Sequence, residues 1–206
     1  MVTVTEIRME KSLICIQLDN NEQVWIKKED MAGLGLYVGL TMDEKDFYRR
    51  VGLLQFPKAL NLAVSSLAVR PCSKEEIRTK LRRRRYLPEV TELVVRKLEN
   101  ENLLNDMDFS EQWATYRIGK EYGPRRILSE LRQKGVSEQT AVSAVDSINS
   151  EDTFRNAVSL AVKAWKRRNP AEPVIKSRQK IIAALVRKGY DWTTAKEASD
   201  MAEKEI

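Results

Sequence analysis

The sequence predicts a mainly α-helical protein: three tandem three-helix repeats in an extended, curved arrangement, after a small antiparallel β-containing N-terminal unit. Two observations lead to this fold class. Residues 2–9 and 12–18 are alternating or β-branched, as in short strands. A pattern of an apolar residue, a leucine four positions later and an apolar residue five positions further then occurs three times, at Ile77, Leu81 and Tyr86, at Ile127, Leu131 and Val136, and at Ile181, Leu185 and Tyr190.

The copies of this pattern start 50 and 54 residues apart. Periods of this order are typical of stacked helical units, whose extended surfaces bind other macromolecules. We therefore divide the chain into a β-rich unit with one helix at residues 1–55 and three repeats at residues 56–107, 108–151 and 152–206.

The N-terminal unit should contain three antiparallel strands. Strands are expected at residues 2–9 and 12–18, and Val24–Ile26 resumes an apolar run after the turn residues Asp19–Glu22. A sheet this small needs a packing partner.

Helix signals follow the predicted strands. Thr41 and Glu44 have the spacing of a capping box, which predicts a helix over residues 42–51. The first repeat then begins near Phe56, and Pro57 suits the first turn of its own helix.

Proline and capping residues divide the first repeat. Pro71 ends its first helix, Ser73 and Glu76 form a capping box for a helix at 74–85, and Pro88 opens the third helix. The later repeats follow the same plan. In the second repeat, helices are expected to start after Gly123 and Pro124 and at Ser137. In the third repeat, helices are expected to start near Asp152 and, after the proline-rich loop 169–173, at Ser177, and a last helix is expected at 193–204.

Glycines mark two of the three equivalent helix ends. Gly135 and Gly189 each precede an apolar residue, which predicts a left-handed C-cap. The first repeat has Arg85 at this position, where a left-handed arginine costs on the order of 1 kcal/mol. Either the turn differs there or another contact compensates.

Aromatic residues at helical spacing are expected in the cores of the repeats. The sequence assigns no place to Trp25 and Trp192; the expected core aromatics are Phe109, Trp113, Phe154 and Trp165.

Composition argues against enzymatic chemistry. The chain has no histidine, which removes the commonest general base and zinc ligand, and it has no glycine-rich nucleotide loop. Cys15 and Cys72 lack metal spacing, so we expect no metal, no cofactor and no small-molecule substrate. Without an apolar run long enough for a membrane span or a signal peptide, we expect a cytoplasmic location.

Positive charge is concentrated beyond the N-terminal unit. The net charge is +6, and residues 57–206 carry 29 basic and 21 acidic side chains. Such a balance is typical of proteins with an anionic partner, although a well-solvated helical surface explains the charge equally well.

The chain resembles the RecX family of RecA regulators. The resemblance is strongest from Leu103 to Asp106, at Phe109, Ser110 and Arg117, and from Gly123 to Val136; residues 59–81 match the first repeat of that family. It implies a non-enzymatic protein that binds RecA and its nucleoprotein filament and limits recombinase, ATPase and coprotease activity in DNA repair and the SOS response. Single- and double-stranded DNA are further implied partners.

Basic residues that recur around equivalent helix ends are the candidate partner-binding surface. Clustered arginine suits phosphates and acidic protein surfaces. The candidates are Arg82, Arg83, Arg84, Arg85, Arg125, Arg126, Arg132, Lys134, Lys163, Lys166, Arg167, Arg168, Arg178, Arg187 and Lys188. Two functions remain open at this point: modulation of the RecA filament, and direct DNA binding by a helical-repeat protein.

Overall fold

The computed structural model describes residues 1–205. Residue 206, the last of the predicted third repeat, lies outside the described residues. The chain forms two compact units, Met1–Asn105 and the remainder from Asp106. As predicted, the protein is mostly helical, with an antiparallel sheet at its N-terminus and three three-helix units.

The N-terminal sheet has one more strand than the sequence predicts. Its strands are antiparallel, in the order β3-β2-β1-β4, and span Val2–Glu10 (β1), Leu13–Leu18 (β2), Gln23–Lys27 (β3) and Thr41–Met42 (β4). Lys28–Asp30 forms a 3-10 turn and Met31–Leu34 a short helix, α1.

One long helix, α2 at Glu44–Val69, replaces the two helices predicted on either side of residue 55. The expected capping box was wrong, because Thr41 pairs with β1 and the side chain of Asp43 caps the helix instead, accepting from the Asp46 N–H at 3.0 Å. Pro57 lies inside the helix. Burial of a stripe spaced by four residues outweighs the roughly 3 kcal/mol cost of an interior proline; its members are Phe47, Val51, Gln55, Ala59 and Ala63.

The first three-helix unit is completed by α3 at Lys74–Arg83 and α4 at Pro88–Asn100. The capping box of Ser73 and Glu76 is confirmed, since both of its reciprocal hydrogen bonds are present. Pro88 opens α4 as predicted. The unit and the sheet share one hydrophobic core.

The second compact unit contains two further three-helix units. Their helices are α5 (Asp106–Gly119), α6 (Pro124–Gln133), α7 (Glu138–Asp146), α8 (Ser150–Lys166), α9 (Val174–Lys188) and α10 (Trp192–Lys204). The predicted start at Ser177 was wrong: α9 begins three residues earlier, directly after Pro173, whose fixed φ suits entry into a helix. Ser177 is buried, and its hydroxyl bonds Glu172 at 3.2 Å.

The predicted core aromatics pack inside these units. Phe109 and Trp165 are buried, while Trp113 and Phe154 are partly buried against the same cores. The indole N–H of Trp165 donates to the Ser199 carbonyl at 3.0 Å, which satisfies its polar group.

The threefold sequence pattern encodes one helix ending. In each copy the N–H of the last apolar residue donates to the carbonyl of the leucine, as in a Schellman motif, at distances of 3.2 to 3.4 Å. Gly135 and Gly189 have φ values of +76° and +102°, so the predicted left-handed C-caps are confirmed. Arg85 adopts the same conformation, with φ +63°.

Candidate partner-binding surface

The four consecutive arginines occupy three different environments. Arg82 is ion-paired with Glu75 of its own helix. Arg83 and Arg84 are exposed and line a cleft of the first compact unit. Within residues 1–205, neither of these two guanidinium groups has an ion-pair partner, so both are available to an external anion.

Arg85 contacts the sheet. Its guanidinium carbon lies 4.8 Å from the ring centroid of Trp25 on β3, which is a cation–π contact. Such a contact contributes about 0.5–1 kcal/mol at a partly exposed site, comparable to the cost of the left-handed backbone. The contact with Trp25 therefore compensates for the left-handed backbone of Arg85. Trp25 is one of the two tryptophans whose position the sequence did not predict.

Three cations in the second compact unit surround the ring of Tyr122. Their charged groups lie 3.8 Å (Arg117), 4.8 Å (Arg126) and 4.5 Å (Lys188) from its centroid. The three side chains come from α5, α6 and α9. We call this group the Tyr122 cluster.

Backbone contacts between α6 and the end of α9 hold the Tyr122 cluster in place. The first N–H groups of an α-helix have no partner within it, and here two N–H groups at this end find carbonyls outside it. The Gly123 N–H donates to the Lys188 carbonyl at 3.0 Å, and the Arg125 N–H donates to the Gly189 carbonyl at 3.0 Å. The predicted residues Arg125, Arg126 and Lys188 thereby belong to one local surface.

A groove between α8 and α9 continues this basic surface. It has a volume of about 430 Å³ and an apolar floor formed by Leu160, Ala164, Ile181, Ala184 and Leu185. Its basic lining residues are Lys163, Arg167 and Lys188. We call it the α8–α9 groove.

The cations of the α8–α9 groove differ in their pairing. Lys163 bonds Glu121 at 2.7 Å, an exposed pair. Arg167 is exposed, and no carboxylate within residues 1–205 pairs with it. The groove thus combines apolar contact area with unneutralised positive charge.

The remaining predicted residues are distributed elsewhere. Arg132 pairs with Glu138, and Arg178 pairs with Glu203. Lys134 lies over Trp113 at 4.1 Å. These ion pairs within the protein are enough to explain the presence of Arg132 and Arg178 without an external partner.

Three more candidates have little intramolecular engagement. Arg168 lies 5.7 Å from the ring of Trp165. Lys166 and Arg187 are exposed, and the described chain supplies no ion-pair partner for either.

A polar network centred on Glu130 holds two arginines of the Tyr122 cluster, Arg117 and Arg126. Its carboxylate accepts hydrogen bonds from Arg117, from Nε of Arg126 at 3.1 Å and from the indole N–H of Trp113 at 3.1 Å. Burial raises the pKa of Glu130, but these hydrogen bonds and the nearby charge of Arg117 outweigh it and hold that pKa below its ordinary value. Glu130 is therefore ionised at neutral pH and fixes both arginines.

The partners of the predicted arginines are not evident from the sequence. The ring of Tyr122 carried no signal beyond its position before Gly123 and Pro124. The cleft that contains Arg83 and Arg84 also includes Trp25 and Lys28, which belong to the N-terminal unit and are distant in sequence. The available signal was the pair Lys27 and Lys28, directly after the apolar run Val24–Ile26.

Fold and site together define a class of protein. Tandem three-helix units with basic, partly apolar surfaces are typical of proteins that bind other macromolecules. No helix in residues 1–205 is both long and apolar enough to cross a membrane.

Comparison with known proteins assigns the family. Family models described as the first, second and third three-helix domains of RecX match residues 59–98, 105–145 and 150–198. A protein of Listeria innocua named regulatory protein RecX is 30% identical over 192 residues, covering 93% of this chain and 71% of the relative. The chain belongs to the RecX family of regulatory proteins.

More distant relatives agree over most of the chain. The regulatory protein RecX of Finegoldia magna is 23% identical over 201 residues, which cover 95% of this chain and 97% of that protein. A crystal structure of regulatory protein RecX has a TM-score of 0.67 at 23% identity and covers 99% of this chain and all of that one. RecX from Lactobacillus salivarius has a TM-score of 0.68 at 21% identity, over 72% and 97% of the two chains.

Proposed function

We propose that this protein binds RecA and its nucleoprotein filament and inhibits recombinase, ATPase and coprotease activity, as a non-enzymatic cytoplasmic regulator in DNA repair and the SOS response. Membership of a family of regulatory proteins supports a regulatory role. In this proposal the partner is a protein filament that carries DNA, and no cofactor takes part.

The α8–α9 groove is the observation that carries the proposal. A purely phosphate-binding surface needs cations but no apolar floor. Here Lys163, Arg167 and Lys188 border an apolar floor, a combination that matches a protein surface with both apolar and acidic side chains. The Tyr122 cluster extends the positive charge beyond the groove.

ATP hydrolysis by preformed RecA filaments on single-stranded DNA tests the proposal. We expect the rate to fall as the protein is added at or below the stoichiometry of RecA. An unchanged rate up to equimolar protein contradicts the proposal, provided that the protein is shown to be folded by circular dichroism.

A further inference from the structure

A cleft of the first compact unit lies between the sheet and the first three-helix unit, and we call it the N-terminal cleft. Its volume of about 840 Å³ is within the range of sites for small ligands. Three segments that are distant in sequence form its walls: β3 with the turn that follows it, the middle of α2, and the turn between α3 and α4. They contribute, respectively, Trp25 and Lys28, Lys58 and Asn61, and Arg84 and Tyr86.

A buried glutamine holds the three walls together. Gln55, on α2, is 4% exposed. Its amide nitrogen donates to the Trp25 carbonyl at 2.7 Å, and its oxygen accepts from the Leu87 N–H at 2.8 Å. Because both hydrogen bonds are made within the free protein, the cleft is formed before any ligand arrives, which lowers the entropic cost of binding.

The positive charge of the N-terminal cleft is only partly neutralised. Its lining contains five cations and two carboxylates. Lys58 is ion-paired with both carboxylates, with its Nζ 2.7 Å and 2.6 Å from their oxygens. Residues 1–205 supply no ion-pair partner for Lys28, Arg83 or Arg84. These three cations are therefore free to hold an anion, and guanidinium groups bind phosphate through paired hydrogen bonds.

The hydroxyl of Tyr86 adds a neutral donor to these cations. Burial raises its pKa, and the nearby positive charges of Lys58 and Arg84 oppose that effect without cancelling it. The hydroxyl is therefore protonated at physiological pH. None of the residues that the structure describes accepts a hydrogen bond from it, so it is available to a phosphate oxygen.

Trp25 gives the N-terminal cleft an aromatic surface. Its side chain on β3 is half-buried, and the guanidinium carbon of Arg85, which does not line the cleft, lies 4.8 Å from its ring centroid. That contact restrains the ring. Asn61 and Ser65 add neutral polar groups to the lining. An aromatic ring beside hydrogen-bonding groups suits a nucleobase, because every base offers a flat face for stacking and a polar edge.

We propose that the N-terminal cleft binds a free nucleoside di- or triphosphate, with the phosphates held by Lys28, Arg83 and Arg84 and the base packed against Trp25. The two parts of such a ligand correspond to the two kinds of surface in the cleft. A polyphosphate concentrates negative charge at one end of the molecule and needs several donors together. The base needs an aromatic surface. The site requires neither RecA nor DNA.

The dimensions of the N-terminal cleft favour one nucleotide over a longer polyanion. A cavity of about 840 Å³ encloses a single small ligand, whereas an oligonucleotide or an acidic polypeptide extends beyond it. An acidic polypeptide would also leave the ring of Trp25 without a partner. Because a bound nucleotide contacts more than one wall of the cleft, it stabilises the first compact unit by mass action.

Isothermal titration calorimetry with ATP, GTP and inorganic triphosphate, in the absence of RecA and DNA, tests the site. We expect at least one of the two nucleotides to bind about tenfold more tightly than triphosphate, because only a nucleotide has a base to pack against Trp25. The corresponding nucleoside, which lacks phosphates, should bind at least about tenfold more weakly than the nucleotide. The proposal is overturned if neither nucleotide binds at up to about 1 mM, or if triphosphate binds as tightly as both nucleotides.

The charge of the cleft is tested by the double substitution Lys28→Ala and Arg84→Ala. It removes two of the three free cations and should weaken the binding of nucleotide and of triphosphate about tenfold each. The matched control, Lys45→Ala and Arg96→Ala, removes the same charge from exposed positions of the same compact unit outside the cleft. It should bind within about twofold of the unmodified protein, since distant surface charges are screened. Equal binding by the two double variants contradicts the proposal.

Trp25→Leu separates the base from the phosphates. It should weaken nucleotide binding about tenfold and leave triphosphate binding within about twofold, and the retained triphosphate binding shows that the cleft is still folded. Trp25→Phe keeps a ring and should bind the nucleotide nearly normally. If Trp25→Leu has a normal melting curve and weakens both ligands equally or neither of them, the base does not pack against Trp25 and the proposal is wrong.

Competition distinguishes a nucleotide site from a site for a nucleic-acid strand. The nucleotide is titrated into protein that has been mixed with an oligothymidylate of about 12 nucleotides. We expect the nucleotide affinity to stay within about twofold of its value without the oligomer. Loss of nucleotide binding in this mixture would assign the cleft to a strand and overturn the proposal.

Discussion

Gly123 and Gly189 lie in direct backbone contact at the junction of the second and third three-helix units. A Cβ atom on Gly123 would lie 2.3 Å from the carbonyl carbon of Gly189, and a Cβ on Gly189 would lie 2.4 Å from Cβ of Arg126. Real Cβ atoms do not approach other heavy atoms this closely. The contact joins the start of α6 to the end of α9 and so sets the distance between Arg126 and Lys188 around Tyr122.

Gly123→Ala should therefore open this junction. We expect a loss of about 2 kcal/mol or more in the free energy of unfolding, since the added methyl group meets backbone that cannot rotate away. Gly119→Ala is the matched control, because nothing lies within 4 Å of a Cβ at that position and alanine favours the helix. Urea denaturation of both variants measures the difference. Equal stability of the two variants would show that the junction is not tightly packed.

Arg85 can be tested by separating its backbone from its side chain. Arg85→Ala keeps the left-handed backbone cost and loses the contact with Trp25, whereas Arg85→Gly loses the contact but removes the backbone cost. We expect the glycine variant to be more stable than the alanine variant by about 1 kcal/mol. The unmodified protein should also be more stable than the alanine variant. If glycine and alanine are equivalent in urea denaturation, the left-handed cap does not persist in solution.

The helix endings could be predicted from the sequence alone, whereas the continuity of α2 and the start of α9 could not. Leucine and glycine at fixed spacing predicted the caps at Gly135 and Gly189, because a Schellman motif is local. The continuity of α2 through Pro57 was not predictable locally, since it depends on packing of the sheet against the helix. The start of α9 at Val174 was not predicted, because the position after Pro173 and the position of Ser177 are both chemically acceptable helix starts.

The candidate site was predictable in residue type but not in grouping. Basic residues near helix ends were identifiable from the sequence, including Arg126 and Lys188. Their convergence on Tyr122 depends on the junction between two neighbouring three-helix units, which brings together residues about 60 positions apart in sequence. The placement of Arg84 and Lys28 around the same cleft depends in the same way on contacts between distant segments.

Glu130 should make the second compact unit sensitive to acid. Its pKa is depressed in the folded protein, so its stabilising effect is fully present above its unfolded pKa of about 4.5 and is lost as the pH falls through the lower, folded value. Glu130→Gln should lower Tm most at neutral pH, since it leaves Arg117 and Arg126 without their carboxylate.

The difference in Tm between the unmodified protein and Glu130→Gln should accordingly shrink as the pH falls below about 4.5, the unfolded pKa of the carboxyl group. Glu138→Gln is the comparison, because its pair with Arg132 is exposed to solvent and screened. A pH-independent difference for Glu130→Gln, or an equally large effect for Glu138→Gln, would contradict the network proposed around this carboxylate.

The α8–α9 groove should govern inhibition of RecA without governing stability. Lys163→Ala with Arg167→Ala removes two of its cations, and the one ion pair lost, with Glu121, is exposed and contributes at most about 1 kcal/mol. We expect Tm to change little. The protein concentration that halves filament ATP hydrolysis should rise about tenfold, which corresponds to about 1.4 kcal/mol of binding free energy.

The control, Arg155→Ala with Lys176→Ala, removes equal charge from exposed positions outside the groove and should inhibit normally. Equal loss of inhibition in both double variants would indicate that net charge, rather than this groove, governs the interaction, because only a groove-specific contact distinguishes the two pairs.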